Sequence, residues 1–209
     1  MTDRPAHAGN KAIEFFSDQF DRQIDAAEYR LNVFEERALA YLEGDVLDLG
    51  CGLGNLAIAA AERGHRVLAL DACNRAVEDL RRRAASRSLP LESGWADLSD
   101  WRAAGTYDSV VSIGLLMFLD CAVARRVMDE IEHAVRPGGV CVLNVLVEGT
   151  TFMKMFDETA YCLFPPDALL TRFAGWTVLD HRIEDFDAPE PGTIKRFATL
   201  IARRPAATN

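Results

Sequence analysis

The stretch from Asp45 to Leu56, Asp-Val-Leu-Asp-Leu-Gly-Cys-Gly-Leu-Gly-Asn-Leu, constrains this chain more than any other. Val46, Leu47 and Leu49 make a short apolar run bounded by turn residues, which predicts a buried strand. Gly50, Gly52 and Gly54 then alternate, and from Leu56 the spacing turns helical through Ala57, Ile58, Ala60 and Ala61. A strand, a glycine turn and a helix in this order let a ligand approach bare backbone, with the first N–H groups of the helix directed at it. The plain alternative is a tight turn that binds nothing.

A dinucleotide fingerprint wants Gly-x-Gly-x-x-Gly. Here the third glycine's place holds Asn55, and Gly54 comes one residue early. Asp48 stands at the strand tip, where a carboxylate repels a pyrophosphate and suits a ligand carrying an ammonium group. S-adenosylmethionine has one, plus a sulfonium. The run Asp48-Leu49-Gly50-Cys51-Gly52-Leu53-Gly54 closely resembles the first motif of class I S-adenosylmethionine-dependent methyltransferases. That resemblance implies that Asp48, Gly50, Cys51, Gly52 and Gly54 hold the methionine end of the cofactor.

A chain of 209 residues suits one domain with a real core. Its 49% hydrophobic and 26% charged residues are those of a soluble globular protein. The net charge of −9 argues against nucleic acid and anionic membranes as partners. Residues 1–7 lack the apolar core of a signal peptide. The longest aliphatic run, Val140 to Val147, is broken by Asn144 and is too short to span a bilayer. Cys51, Cys73, Cys121, Cys141 and Cys162 are odd in number and show no CxxC spacing. They read as reduced, mostly buried thiols of a cytoplasmic protein, and the scattered histidines add no metal site.

In order along the chain, residues 1–10 read as disordered. Lys11 to Leu42 reads as two helices split near Asp21 to Ala27. Phe16, Phe20, Tyr29 and Phe34 either pack there or form a lid over a cofactor. A second strand, Arg66 to Asp71, ends in an acid about 20 residues beyond Gly50, the spacing at which a carboxylate accepts hydrogen bonds from ribose hydroxyls. Asp71, with Ala72 beside it, takes that role, or caps the helix starting near Asn74. The arginines of the helix Asn74–Ser88 read as a solvated face paired with Glu78 and Asp79. A short third strand, 90–94, precedes Trp95-Ala96-Asp97-Leu98. The class I resemblance puts the adenine amine on the acid Asp97, with Ala96 and Leu98 against the ring. Trp95 and Trp101 read as packing residues.

Tyr107 to Ile113 reads as the fourth strand. The apolar run after it, Gly114 to Leu119, lies at the carboxyl edge where open parallel sheets bind ligands. Gly114 and Leu115 are expected near the methionine part, Met117 and Phe118 toward an acceptor. A helix over 120–135 stops at the turn signal Arg136-Pro137-Gly138-Gly139, before a fifth strand, 140–147. Residues 148–165 are irregular yet rich in apolar side chains, Phe152 among them; such a loop is a substrate wall or a cap on the core edge. A short helix to Phe173 leads to two strands, 176–186 and 193–203, joined as an antiparallel hairpin. The tail, 205–209, reads as frayed.

Five alternating strands and helices plus a final hairpin are similar to the class I layout over Gly44 to Arg204. The implied fold is a Rossmann-like, doubly wound, seven-stranded α/β sheet, mostly parallel, with helices on both faces. An amino-terminal helical cap covers 1–43, and the methyltransferase domain proper covers 44–204. In the second half, Leu116-Met117-Phe118-Leu119, the Arg136 turn, Gly175-Trp176 and the run Lys195 to Arg203 resemble the tellurite-resistance methyltransferases. That family methylates chalcogen oxyanions or related small soft acceptors. It carries a His-Arg pair before the last strand. This chain has Glu184 to Glu190 instead, whose four carboxylates would repel an oxyanion. The nearby His181-Arg182 is one stand-in, and Arg196 is the matching basic residue. Arg196 either orients the acceptor or is a strand-surface charge paired with Glu184 or Asp185.

The resemblance therefore implies S-adenosylmethionine as cofactor and S-adenosylhomocysteine as product, with no metal. The expected partner is a small-molecule acceptor, a chalcogen oxyanion or a thiol among the candidates. The acceptor pocket is formed by Met117, Phe118 and Phe152, Arg196 is the catalytic candidate, and no oligomeric state is assigned. The rival readings are an NAD(P)-dependent oxidoreductase, which wants a glycine at position 55 and a proton donor, and a non-catalytic cofactor-binding protein.

Overall fold

A computed structural model describes residues 11–207. The reading of residues 1–10 as disordered, and the last two residues of the tail, lie outside these. Pro205 is not frayed, because its carbonyl accepts from the N–H of Gly138 at 3.3 Å.

Among the described residues seven strands form one sheet: β1 (Asp45–Leu49), β2 (Arg66–Asp71), β3 (Leu91–Trp95), β4 (Tyr107–Ile113), β5 (Val135–Leu146), β6 (Thr177–Asp187) and β7 (Ile194–Arg203), in the order β3-β2-β1-β4-β5-β7-β6. The first five are parallel and β7 is antiparallel to β5 and β6. The expected doubly wound sheet with its terminal hairpin is present. β1 is covered on both faces, which is why its sequence is nearly continuous in apolar residues. Leu47 and Leu49 pack with Val110, Ile131 and Leu143 on one face, and Val46 packs with Val67, Val111 and Val142 on the other.

Among the described residues six α-helices cover the sheet: α1 (Lys11–Asp25), α2 (Val33–Leu39), α3 (Asn55–Glu62), α4 (Asn74–Ser86), α5 (Cys121–Ala134) and α6 (Ala168–Arg172). The break in the amino-terminal pair falls later than expected. Phe20 and Ile24 pack against Leu53 and Ala76, which keeps α1 helical to Asp25. α2 begins at a capping box, where the Asn32 side chain accepts from the N–H groups of Phe34 and Glu35 and Glu35 accepts from the N–H of Asn32. The α4 arginines are paired more widely than expected. Arg75 meets Asp21 and Asp25 of α1, Arg82 and Arg83 meet Asp79, and Arg87 meets Glu62.

Two other readings are corrected. Arg136 to Gly139 does not form a free turn. β5 starts at Val135, and two steps along β4, from Tyr107 to Ser109, face five along β5, from Val135 to Val140. The extra residues make a bulge held by Arg136 on Asp108 at 2.9 Å.

The cysteines are not all thiols. Cys121, the first residue of α5, is disulfide-bonded to Cys162 in the loop after β5, with Cα atoms 4.8 Å apart. The two lie 41 residues apart, so spacing could not reveal the pair. Cys51, Cys73 and Cys141 are buried free thiols. A non-reduced peptide digest is expected to recover the 121 and 162 peptides as one species. Closing a loop of this length stabilises the fold by about 4 kcal/mol in the chain-entropy picture. Reduction should therefore lower the thermal midpoint by roughly 10 °C.

Candidate functional site

The strand order reverses between β1 and β4, and in open parallel sheets the crevice outside the carboxyl ends at that point is where ligands bind. A cavity of about 660 Å³ opens there, within the usual ~300–1,000 Å³ range of small-molecule sites. Its floor is the carboxyl edge: Asp48 and Gly50 at the end of β1, Asp71 at the end of β2, Ile113 and Gly114 at the end of β4, Asn144 and Leu146 at the end of β5. One side of α1 lies across it through Ala12, Phe16 and Phe20, and α2 contributes Phe34 and Glu35.

At the glycine turn, the ring of Phe20 rests on the bare face of Gly52. A Cβ there would stand 2.9 Å from the ring's Cζ, on a backbone with φ +51. Gly54 does something else. A Cβ on it would stand 2.4 Å from a methyl of Leu80, so its lack of a side chain lets α3 and α4 pack. It is not on the cavity wall.

Within the turn itself, the N–H groups of the glycines and of Cys51 are used inside the fold. Those of Gly50 and Cys51 donate to the carbonyl of Leu70, at 2.8 and 3.1 Å, and that of Gly54 to Cys51 at 2.8 Å. The N–H of Gly52 donates to Oδ2 of Asp71 at 2.8 Å. The other oxygen of Asp71 accepts from the N–H of Cys73 at 2.8 Å. Asp71 thus ties the glycine turn to the start of α4. The N–H of Ala72 also bonds to this carboxylate, which leaves part of its lone-pair capacity for a donor in the cavity.

Carboxylates crowd this end. Asp48 is 4% exposed, and its pKa is pushed up to about 8, chiefly by burial and then by the negative charges of Glu35 and Asp71. Burial also raises Glu35 and Asp71. Asp97 lies on the wall, with its Oδ1 accepting from the N–H and hydroxyl of Ser99 at 2.9 and 2.6 Å. Such a surface repels a pyrophosphate and attracts a cation.

Of the residues singled out from the sequence, Asp48, Gly50, Cys51, Gly52, Asp71 and Ala72 line the cavity, as do Asp97, Leu98, Gly114 and Leu115. Ala96 does not; it packs against the core below. Met117 and Phe118 are on the wall, whereas Phe152 stands behind it, under Lys195. Among the four aromatics of the cap, Phe16, Phe20 and Phe34 face the cavity, and Tyr29 packs beneath the Arg83 guanidinium at 4.1 Å.

Arg196 is not on the cavity wall. Its guanidinium is bound to Asp185 by two contacts of 2.6 Å. Along β7, side chains alternate between faces. Phe197 and Lys195 are on the cavity side and Arg196 is on the other. The acidic stretch is also paired, Glu184 with Arg37 of α2, Asp185 with Arg196 and Glu190 with Lys154. None of these acids lines the cavity, so the repulsion expected from them does not act there.

Sequence reasoning missed Glu35, Asn144, Lys195 and Asn55. The Asn32-x-x-Glu35 spacing was a visible helix-start signal, though it could not say that Glu35 faces Asp48. Asn55 replaces the fingerprint's third glycine, and its Nδ2 donates to the carbonyl of Arg30 at 3.0 Å, tying the α1–α2 connection to α3.

Residues 46–139 match the family described as a methyltransferase domain. These residues are a methyltransferase domain. The ribosomal protein L11 methyltransferase of Thermotoga maritima is 38% identical over 176 residues, 84% of this chain and 56% of that protein. The first curated relatives are matched over only about half of their own length, 51% to 56%. Among solved structures, TehB from Haemophilus influenzae is 17% identical with a TM-score of 0.73, covering 92% of this chain and 67% of that one. The 1,6-didemethyltoxoflavin methyltransferase of Burkholderia thailandensis was solved with 1,6-didemethyltoxoflavin and S-adenosylhomocysteine bound. It is 20% identical, with a TM-score of 0.66 over 98% of this chain and 93% of that one. The shared fold is the Rossmann-like class I methyltransferase fold, and the domain places its glycine turn in it as β1–turn–α3. Among the described residues, no group of three or more His, Cys, Asp or Glu could hold a metal ion, and no helix is long and apolar enough to cross a membrane.

The raised pKa of Asp48 has a stability consequence. The unfolded chain ionises this carboxyl near its ordinary value, while the folded protein does so near pH 8. Its contribution is therefore present at low pH and is lost as pH rises toward 8. Relative to Asp48→Asn, the ligand-free wild type should lose about 1.4 kcal/mol per pH unit between pH 5 and 7. Urea titrations of both proteins across that range measure the difference.

Proposed function

We propose that the protein transfers a methyl group from S-adenosylmethionine to a small-molecule acceptor. The observation that carries this reading is the acidic end of the cavity. Asp48, Glu35 and Asp71 gather at the glycine turn, and this suits a cationic adenosyl ligand. The cavity of about 660 Å³ is also large enough for a small-molecule ligand. The methyltransferase-domain match and the fold of the S-adenosylhomocysteine-bound neighbour support it.

When bound, S-adenosylmethionine supplies a methyl group already activated on a sulfonium sulfur, so the protein need only align and exclude water. Asp48 and Glu35 would balance the positive charges of the methionine end. Asp71 would accept from the ribose hydroxyls through its remaining lone pairs, and Asp97 from the adenine amine with Leu98 against the ring. Phe16, Phe20 and Phe34 of α1 and α2 would cover the site and keep it dry.

For the acceptor, a chalcogen oxyanion or a thiol stays within the proposal, because no carboxylate of the 184–190 stretch faces the cavity. The cytoplasmic location expected from reduced thiols loses that support, because the Cys121–Cys162 disulfide favours an oxidising compartment. A dinucleotide-dependent oxidoreductase is disfavoured by the same carboxylates.

Isothermal calorimetry tests the cofactor. S-adenosylhomocysteine should bind at micromolar levels and NAD should not; the reverse result defeats the reading. Asp71→Ala should weaken S-adenosylhomocysteine binding by about 2 kcal/mol, roughly 30-fold. Unchanged affinity would mean the ribose is held elsewhere. A turnover screen over selenite, tellurite, thiols and small carboxylates, read as S-adenosylhomocysteine formed, then names the acceptor class.

A further inference from the structure

The cavity is electrically lopsided. Its acids, Asp48, Asp71, Asp97 and Glu35, gather around the glycine turn. At the β5–β7 end the wall is apolar, built from Met117, Phe118, Leu146, Met155 and Phe197, with one half-buried ammonium group, that of Lys195. Among the described residues Lys195 makes no ion pair. Its contact is with the face of Phe152, the nitrogen 5.1 Å from the ring centroid. Burial is the cause of its lowered pKa, with no nearby carboxylate acting on it. Arg30, the other cation on the wall, is exposed. A buried, unpaired charge is costly unless a partner arrives.

The sheet continues the pattern inward. Asn144 pairs with Thr199 and Leu146 with Phe197 in register, and Lys195 comes two residues further along the same face of β7. Asn144 is 1% exposed, and its Nδ2 donates to the hydroxyl of Thr199 at 2.9 Å. Its Oδ1 has no partner. From Asn144 to Lys195 the wall thus runs from an unpartnered amide oxygen, across Leu146 and Phe197, to a cation. By strand rise this spans about 14 Å or less, the scale of a small organic molecule.

We propose that this end of the cavity is the acceptor site and that it selects an organic acceptor with a planar apolar body and an ionised acidic group, the acid on Lys195 and the body between Phe118, Leu146 and Phe197. The inference rests on the methyltransferase reading and names its substrate class. Lys195 is the specificity residue, and Arg196, one position on, is a structural partner of Asp185.

The test uses planar aromatic carboxylates, benzoate and 4-hydroxybenzoate, and their uncharged amides, benzamide and 4-hydroxybenzamide. Ligand-detected NMR titration is run on wild type, Lys195→Gln and Lys195→Arg, with and without saturating S-adenosylhomocysteine. Wild type should favour each carboxylate over its amide by about tenfold, the worth of one charge-assisted hydrogen bond. That preference should vanish in Lys195→Gln and persist in Lys195→Arg. Calorimetric affinity for S-adenosylhomocysteine should stay within about twofold across the three, since no acid at that end is near Lys195. Equal binding of carboxylate and amide to wild type, a preference that survives in Lys195→Gln, or no binding of any probe at millimolar concentration overturns the proposal. If S-adenosylhomocysteine itself fails to bind, the cofactor reading falls, and the titration without it still decides the role of Lys195.

Discussion

The geometry of the site depends on one carboxylate. Asp71 sits at the end of β2 and accepts from Gly52 with one oxygen and from Cys73 with the other. It therefore fixes the glycine turn against the start of α4. The turn in turn sets where α3 begins, and Gly54 lets α3 close on Leu80 of α4. A charged hydrogen bond at each end makes this link stiffer than two neutral ones would be. The same residue adds negative charge beside Asp48. A structural clamp and an electrostatic element are thus one side chain, and neither role can be altered without the other.

Around that clamp the cavity separates charge. Buried carboxylates at the carboxyl ends of β1 and β2 line the same cavity as the half-buried ammonium of Lys195 on β7, with apolar surface at the lysine's end. Both ends are desolvated, which pushes the acids up and the lysine down toward their neutral forms. A ligand with a cationic end beside the acids and an anionic acceptor beside the lysine would restore ionisation at both. On the proposed function, charge that is unfavourable in the free protein would in this way be held ready for ligands.

The cover is built by contacts from several distant parts of the chain. α1 is anchored on α4 through Arg75 with Asp21 and Asp25, and α2 on the hairpin through Arg37 with Glu184 and Phe34 with Phe186 and Phe197. On the opposite wall the Cys121–Cys162 disulfide ties the aromatic loop after β5 to the start of α5, where the N–H of Cys162 also donates to the carbonyl of Met117 at 3.0 Å. Exposed ion pairs contribute little each. The aromatic packing and the covalent link carry more of the wall.

Local pattern determined a great deal. The apolar run to Leu49, the alternating glycines and the acids at strand ends declare strand, turn and ligand edge because each depends on neighbours within a few residues. Ten of the twelve residues expected at the cofactor line the cavity for that reason. What needed the tertiary structure was everything set by long-range pairing. Whether Lys195 or Arg196 faces the cavity turns on the register of β7 against β5, since a strand sends successive side chains to opposite faces. That Asp185 and Glu184 are neutralised, that Cys121 meets Cys162, and that Glu35 stands by Asp48 follow from elements folded together across tens of residues. Sequence spacing carries no record of such distances, because chain separation and spatial separation are unrelated once the sheet has closed.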